Sequence, residues 1–484
     1  MNGLRRSIAF SAGERYGAYA ISLAGTAGAS RLLTPRDFGV FALAMILVGL
    51  VDVLREFGTG SYLVQVRELS RETVRGAVTV MLLISLACAL MLAAAALPAA
   101  AFFDESELTG VILIIAAASL TNPLGSPSSS MLRRDMAFHT LAVISLLATG
   151  VQVSVLLFLA WQGFGAASLA WGILASGLTR AAAYNLARPM PWAFRPTLSD
   201  WRPALAFGGW SSATVFVNVL HNNAAQLLLG RLLGVVPVGL YDRAQTICLL
   251  PDRLLVSALN PVLLPALAGH IRRGGTVVEP YLLGLRHMAA VQWPALVCLI
   301  LLADPLVMLL LGPQWHEVPH LVRLMAGGMF WLVPAFLSYP TLVVLGRVRD
   351  TLTTSLITVP PSLVVLAFAS MHSLEAVAAS SWITAPLQTF VAVSVIRRHT
   401  GMGWREIFGA VAPGAVVALA SAAGPLAAMS VYGFRLDLPV AALFIAAPVS
   451  AAATFLALRA SGHPLHAEIE SLVAWLLRRR SRAT

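Results

Sequence analysis

Runs of about 20 apolar residues recur from one end of this 484-residue chain to the other, and they constrain its fold more than any single motif. Each run can cross a hydrocarbon core about 30 Å thick as one helix. With 58% hydrophobic and only 11% charged residues and a mean hydropathy of +0.80, the chain carries more apolar surface than a water-soluble fold can hide. Its solvent is therefore mostly lipid. The expected fold class is all-α integral membrane.

The runs place spans at roughly 8–30, 38–60, 75–99, 108–130, 137–160 and 165–186, then at 205–229, 238–259, 281–302, 320–345, 352–371 and 374–396. Two more follow at about 407–431 and 438–459, giving about 14 transmembrane helices. Met1 to Phe10 shows no small-residue cleavage site, and Glu14-Arg15 interrupts the first run early. The start reads as a retained span, not a removed signal peptide.

A near-repeat organises these spans. Ser30-Arg31-Leu32-Leu33-Thr34-Pro35-Arg36-Asp37-Phe38-Gly39-Val40-Phe41 returns 200 residues later as Gly230-Arg231-Leu232-Leu233-Gly234-Val235-Val236-Pro237-Val238-Gly239-Leu240-Tyr241. Each copy ends one apolar span in Arg-Leu-Leu, turns, and opens the next at Gly-aliphatic-aromatic. Duplicated halves in a membrane chain point to alternating access, with the site between the halves. The expected organisation is an N-terminal six-helix lobe (1–186), a cytoplasmic linker (187–204) and a C-terminal six-helix lobe (205–400). Two additional helices (401–460) and a cytoplasmic, amphipathic, Arg-rich tail (461–484) complete it.

The net charge of +11 would suggest nucleic acid in a soluble protein; its distribution points elsewhere. Lysine is absent, and the arginines alternate between connections. Arg5-Arg6, Arg67/Arg71/Arg75, Arg133-Arg134, Arg188/Arg195/Arg202, Arg272-Arg273, Arg347/Arg349, Arg397-Arg398/Arg405 and Arg478-Arg479-Arg480 fall on one side. Asp104-Glu105-Ser106-Glu107 and Trp315-His316-Glu317 fall on the other. This positive-inside pattern is expected to set both termini of a multi-pass membrane protein in the cytoplasm. Cys88, Cys248 and Cys298 lie apart inside apolar runs and read as small hydrophobes.

No P-loop, Gly-x-Ser-x-Gly, His-Glu-x-x-His or metal-spaced His/Cys cluster is present, so neither an enzyme nor a cofactor or metal is expected. The charges embedded in spans carry the site reading, because each costs about 2.5–3.5 kcal/mol at a helix centre and normally faces a partner or wet cavity. Arg15, Arg55, Arg243 and Arg253 are the cationic candidates, although Asp52 and Arg55, three apart, can also pair structurally. Span seven is the most polar, with Asn218, Asn222 and Gln226 spaced along one face beside His221. This stripe either lines a cavity or bonds neighbouring helices. Prolines inside spans (Pro123, Pro127, Pro334, Pro340, Pro360-Pro361, Pro386, Pro413, Pro425) invite kinks, though membrane helices also tolerate them.

The stretch Arg31-Leu32-Leu33-Thr34-Pro35-Arg36-Asp37-Phe38-Gly39 resembles the opening of bacterial polysaccharide-lipid flippases, the Wzx-like polysaccharide transporter branch of the MOP superfamily, related to the MATE exporters. Arg133-Arg134-Asp135-Met136-Ala137-Phe138, Leu263-Leu264-Pro265-Ala266-Leu267, Ala303-Asp304-Pro305-Leu306 with Gly312-Pro313-Gln314-Trp315, and Leu345-Gly346-Arg347-Val348-Arg349 continue the resemblance. It implies a protein of the bacterial inner membrane, with two six-helix lobes around a central cavity and a cargo of undecaprenyl-pyrophosphate-linked oligosaccharide. Membrane lipids, a polysaccharide polymerase and a co-polymerase are the implied partners, with no nucleic acid. A pyrophosphate needs cationic forks, which arginine supplies, while span seven offers partners for sugars. The alternatives are a MATE-like cation or drug antiporter, a lipid II flippase, and a membrane polymerase or ligase. An antiporter wants a carboxylate deep in a lobe, whereas these carboxylates lie near span ends or beside an arginine. An enzyme of that kind typically carries a large external loop, and every connection here is short.

Overall fold

A helix satisfies its own backbone hydrogen bonds, which is what a lipid solvent demands of any spanning segment. The computed structural model describes residues 2–55, 70–197, 209–253, 275–467 and 470, and among them every regular element is helical. Residues 2–16, 53–55, 209–218 and 348 are described by backbone alone. The helices are α1 (Asn2–Leu32), α2 (Pro35–Arg55), α3 (Arg71–Phe103), α4 (Glu107–Ser119), α5 (Thr121–Arg134), α6 (Phe138–Trp161), α7 (Ala166–Ala187), α8 (Gly209–Leu232) and α9 (Val235–Cys248). They continue with α10 (Val278–Leu301), α11 (Ala303–Leu310), α12 (Val318–Met329), α13 (Ser338–Val344), α14 (Val348–Ser370) and α15 (Leu374–Ala379). The last are α16 (Ser381–Thr400), α17 (Trp404–Ser421), α18 (Ala423–Tyr432) and α19 (Ala442–Ala460).

Nine segments among the described residues are long and apolar enough to cross a membrane. They are Arg71–Phe103, Glu107–Arg134, Phe138–Trp161, Val278–Leu301, Val318–Val344, Arg349–Ser370, Leu374–Thr400, Trp404–Tyr432 and Ala442–Ala460. These fall on the third to fifth and ninth to fourteenth expected spans. The chain is thus an all-helical, multi-pass membrane protein.

Prolines explain why two of these segments break into two helices and where a third one stops. Proline at position i leaves the carbonyl of residue i−4 without its helical donor. α4 ends at Ser119, four before Pro123; α10 ends at Leu301, four before Pro305; α17 ends at Ser421, four before Pro425. At the last of these, the Ser450 hydroxyl donates to the freed Ser421 carbonyl at 2.7 Å. At Pro334 the carbonyl four residues earlier, Phe330, accepts the Trp293 indole N–H at 3.1 Å. Pro360-Pro361 and Pro413 sit inside continuous helices instead.

The chain divides into two compact units, Met1–Asp242 with Leu310–Gln314, and Arg243–Leu309 with Trp315–Thr484. Within unit 1, small residues let helices approach closely, as they do in lipid. A Cβ on Gly25 would strike Val153, and one on Gly28 would strike Leu157, both on α6. The first part of the expected linker is packed down. Met190 and Ala193 join Val74, Ala77, Val78 and Met131 in one buried cluster, and Arg75 Nε donates to the Arg195 carbonyl at 2.9 Å. In unit 2, α10 and α17 pack against each other so tightly that a Cβ on Gly414 would meet Ala289. Cys88 and Cys248 are buried among these packed side chains.

The repeated segments meet each other inside unit 1. A Cβ at Gly39 would collide with the backbone carbonyl of Val235, and one at Gly239 with the backbone carbonyl of Pro35. Exchanging the two copies, +200 for one residue and −200 for the other, turns one contact into the other, the reciprocity a two-fold axis imposes. The repeat is therefore used in three dimensions: each copy's glycine receives the other copy's first helical turn.

Candidate functional site

The motif at the α1–α2 turn resolves into local mechanics. Thr34 Oγ1 accepts from the Asp37 N–H at 3.3 Å, and Asp37 Oδ2 accepts from the Thr34 N–H at 2.8 Å, a reciprocal cap on the first turn of α2. Pro35 fills the first helical position, where no N–H is needed. Arg36 reaches Glu105 at 2.7 Å and Glu107 at 3.3 Å. Those carboxylates hold its guanidinium above the ordinary arginine value, Glu105 through its hydrogen bond first. Phe38 is buried, and Gly39 makes the close approach to Val235. From the far end of the same motif set, Gln314 Nε2 donates to the Leu33 carbonyl at 2.8 Å and to that of Ser30, capping α1.

The other motifs are also turns and ion pairs. Asp135 pairs with Arg188, and Met136 closes the α5–α6 turn at φ 56°. Gly346 turns α13 into α14 at φ 70°, and Asp304 pairs with Arg323 on α12. Leu263-Leu264-Pro265-Ala266-Leu267 lies outside the described residues. Motifs of this kind hold the scaffold.

The embedded polar groups are spread over several helices. Arg15 lies on α1, Arg55 at the end of α2 and Asn218 on α8, and all three side chains fall outside the described ones. On α8, Gln226 is buried to 4% exposure and its amide donates to Asp242 Oδ1 on α9 at 3.2 Å. Asn222, one turn earlier, is exposed, and His221 is half-buried with its Nδ1 facing no partner among the described residues. Asn223 spends its amide on the Val219 carbonyl of its own helix. Arg243, on α9, is half-buried and Arg253 is exposed. The structure thus brings Gln226 and Asp242 together, while Asn222 keeps its amide accessible.

Two further arginines, Arg180 and Arg231, are not among the site candidates. Arg180 is exposed on α7, two turns inside the span 165–186, where a long side chain can reach the interface. Arg231 opens the second Arg-Leu-Leu, with its guanidinium 5.3 Å from the Phe102 ring centroid. The first was legible as a lone charge in an apolar run. The second needs the ring contact, which no spacing reveals.

Comparison with known proteins adds a family and a fold. A family profile described as "Polysaccharide biosynthesis protein" matches residues 29–320. The succinoglycan biosynthesis transport protein ExoT of Rhizobium meliloti (strain 1021) is 25% identical over 346 residues, 71% of this chain and 69% of that protein. The lipopolysaccharide biosynthesis protein WzxC of Escherichia coli (strain K12) is 23% identical over 305 residues, 61% of each chain. Among solved structures, the lipid II flippase MurJ in an inward closed conformation superposes with a TM-score of 0.74 at 12% identity, over 93% of this chain and 99% of that one. At that identity the likeness is one of fold.

Proposed function

Because the chain belongs to the family of polysaccharide biosynthesis proteins, we propose that it is a flippase. Its cargo is an undecaprenyl-pyrophosphate-linked oligosaccharide repeat unit, moved across the bacterial inner membrane by alternating access for exopolysaccharide, capsule or O-antigen synthesis. The observation that carries this reading is the family match over more than half the chain. Two relatives whose names place them in polysaccharide assembly, one of them as a transport protein, support it. Fourteen spans with both termini cytoplasmic are part of the proposal and rest on the arginine asymmetry.

Arg15, Arg55, Arg243 and Arg253 are assigned to the pyrophosphate, for which forked N–H donors suit the oxygens. Asn218, Asn222 and His221 are assigned to the sugars, and Gln226 to holding Asp242. Polymerase and co-polymerase would act on the delivered unit. With no P-loop in the sequence, the drive comes from an ion gradient or from consumption of the product by polymerisation.

Deletion should make single lipid-linked repeat units accumulate in the cytoplasmic leaflet, resistant to a periplasmic glycosidase until the cells are broken. Full-length polymer accumulating in the periplasm would place the defect later and overturn the assignment. Arg15→Ala should abolish export at normal membrane abundance; loss of the protein from the membrane would make Arg15 structural.

A further inference from the structure

One end of unit 2 gathers arginines from three helices. α14 begins there with Arg347 and Arg349, α16 ends there with Arg397 and Arg398, and α17 begins there with Arg405 in its first turn. The His399 ring nitrogen and Asp350 Oδ2, 2.6 Å apart, tie the start of α14 to the end of α16. Only three residues separate α16 from α17. The two carboxylates that these three helix ends carry are already engaged. Asp350 holds His399, and Glu406 Oε2 accepts the Gly403 N–H at 2.7 Å to close the first turn of α17. Arg349, Arg398 and Arg405 are exposed and have no ion-pair partner among the described residues.

An aromatic column stands on this basic corner. The Arg397 guanidinium lies 4.5 Å from the Trp404 ring centroid and its Nε donates to the Met402 carbonyl at 2.9 Å, which fixes it in place. Trp404 stacks on Phe390 at 5.6 Å with the rings 10° apart, and Phe408 follows at 6.2 Å. Phe390 and Phe408 are more than half exposed, and the exposed side of α17 continues through Val416 and Leu419. α16 and α17 both belong to membrane-spanning segments, so the neighbour of this outward stripe is a lipid chain. Indole rings and arginines together mark the headgroup level of a bilayer.

We propose that this corner is a binding site for an anionic glycerophospholipid of the surrounding bilayer. Arg349, Arg398 and Arg405 take the phosphodiester, and an acyl chain lies along Phe408, Val416 and Leu419. Basic pockets between membrane helices select anionic headgroups, each arginine adding attraction that a zwitterionic headgroup does not return. Arginine also offers the phosphate a fork where lysine offers a point charge. The proposal concerns a structural lipid and holds whatever cargo the protein carries.

The test uses the full chain, purified in a zwitterionic phosphatidylcholine environment and titrated with phosphatidylglycerol, read by thermal midpoint and by native mass spectrometry of retained lipid. Phosphatidylglycerol should raise the midpoint and added phosphatidylcholine should not. The double variant Arg398→Gln/Arg405→Gln should weaken apparent phosphatidylglycerol affinity roughly tenfold or more. In phosphatidylcholine it should melt with the wild type, because Arg398 and Arg405 hold no ion-pair partner among the described residues. Arg133→Gln, an exposed arginine at the end of α5, is the control for diffuse positive charge and should keep the wild-type response. Equal loss in the control, an equal response to both lipids, or retention of a polyprenyl pyrophosphate in preference to phosphatidylglycerol would overturn the proposal. Should the double variant fail to fold, Arg405→Gln carries the same expectations, and a wild-type lipid response in it would equally overturn the site.

Discussion

Arg36 and Glu105 show how a single exposed-looking arginine can be structural. Glu105 is only 6% exposed, while Arg36 is half exposed, so the cost of losing the pair is lopsided. Removing Arg36 strands a buried carboxylate; removing both removes the problem. Arg36→Gln should cost about 1–2 kcal/mol, discounted for the solvent around the guanidinium, and Arg36→Gln/Glu105→Gln should cost less than the single change. A double variant melting below Arg36→Gln would show that the pair is not what holds the turn. The pH sign follows from the raised guanidinium value. A cation with a raised folded value contributes stability below its unfolded value and loses it only above the folded one. For arginine both lie above any working range, so the wild-type to Arg36→Gln midpoint difference should have no alkaline titration from this group between about pH 7 and 10. The sequence shows Arg36 inside the repeated turn; that its partner is 69 residues away at the α3–α4 turn is a tertiary fact.

At the scale of helices, the decisive residues are those that lack side chains. Gly39 and Gly239 each receive a backbone carbonyl, which cannot move aside as a flexible side chain would. Gly39→Ala and Gly239→Ala should therefore each lower the thermal midpoint and impair export, with similar severity because the contacts are reciprocal. Gly110→Ala on α4, where a Cβ would meet nothing within 4 Å, should be neutral or stabilising by up to about 1 kcal/mol. A harmless Gly39→Ala, measured by midpoint and by polymer export, would refute the close crossing. Proline was only half informative at this scale. Pro123, Pro305 and Pro425 end helices four residues earlier, but Pro360-Pro361 and Pro413 do not. At Pro425 the Ser450 hydroxyl takes up the freed Ser421 carbonyl, a partner on another helix that the spacing of one helix does not reveal.

For the whole molecule, the testable quantity is topology. Single cysteines in a background lacking Cys88, Cys248 and Cys298 should be labelled from the periplasm at Ser106→Cys and not at positions 273 or 480. Ser106 is exposed and next to Glu105, whose own side chain is buried against Arg36 and would make a poor probe. Labelling at 273 would invert the arginine-derived orientation. A deletion that leaves repeat units on the cytoplasmic leaflet would then join topology to transport.

Apolar run length sufficed to read the helical membrane class and nine of its spans, because lipid leaves the backbone few options, and the motif beginning at Arg31 carried the family resemblance. The same sequence marked the Arg-Leu-Leu repeat without saying what it is for. Only the tertiary structure places each copy's first turn on the other's glycine, pairs Gln226 with Asp242 and stacks Arg397 on Trp404. Those contacts join residues on separate helices or across a turn, and spacing along one helix records its own faces but not which neighbour covers them.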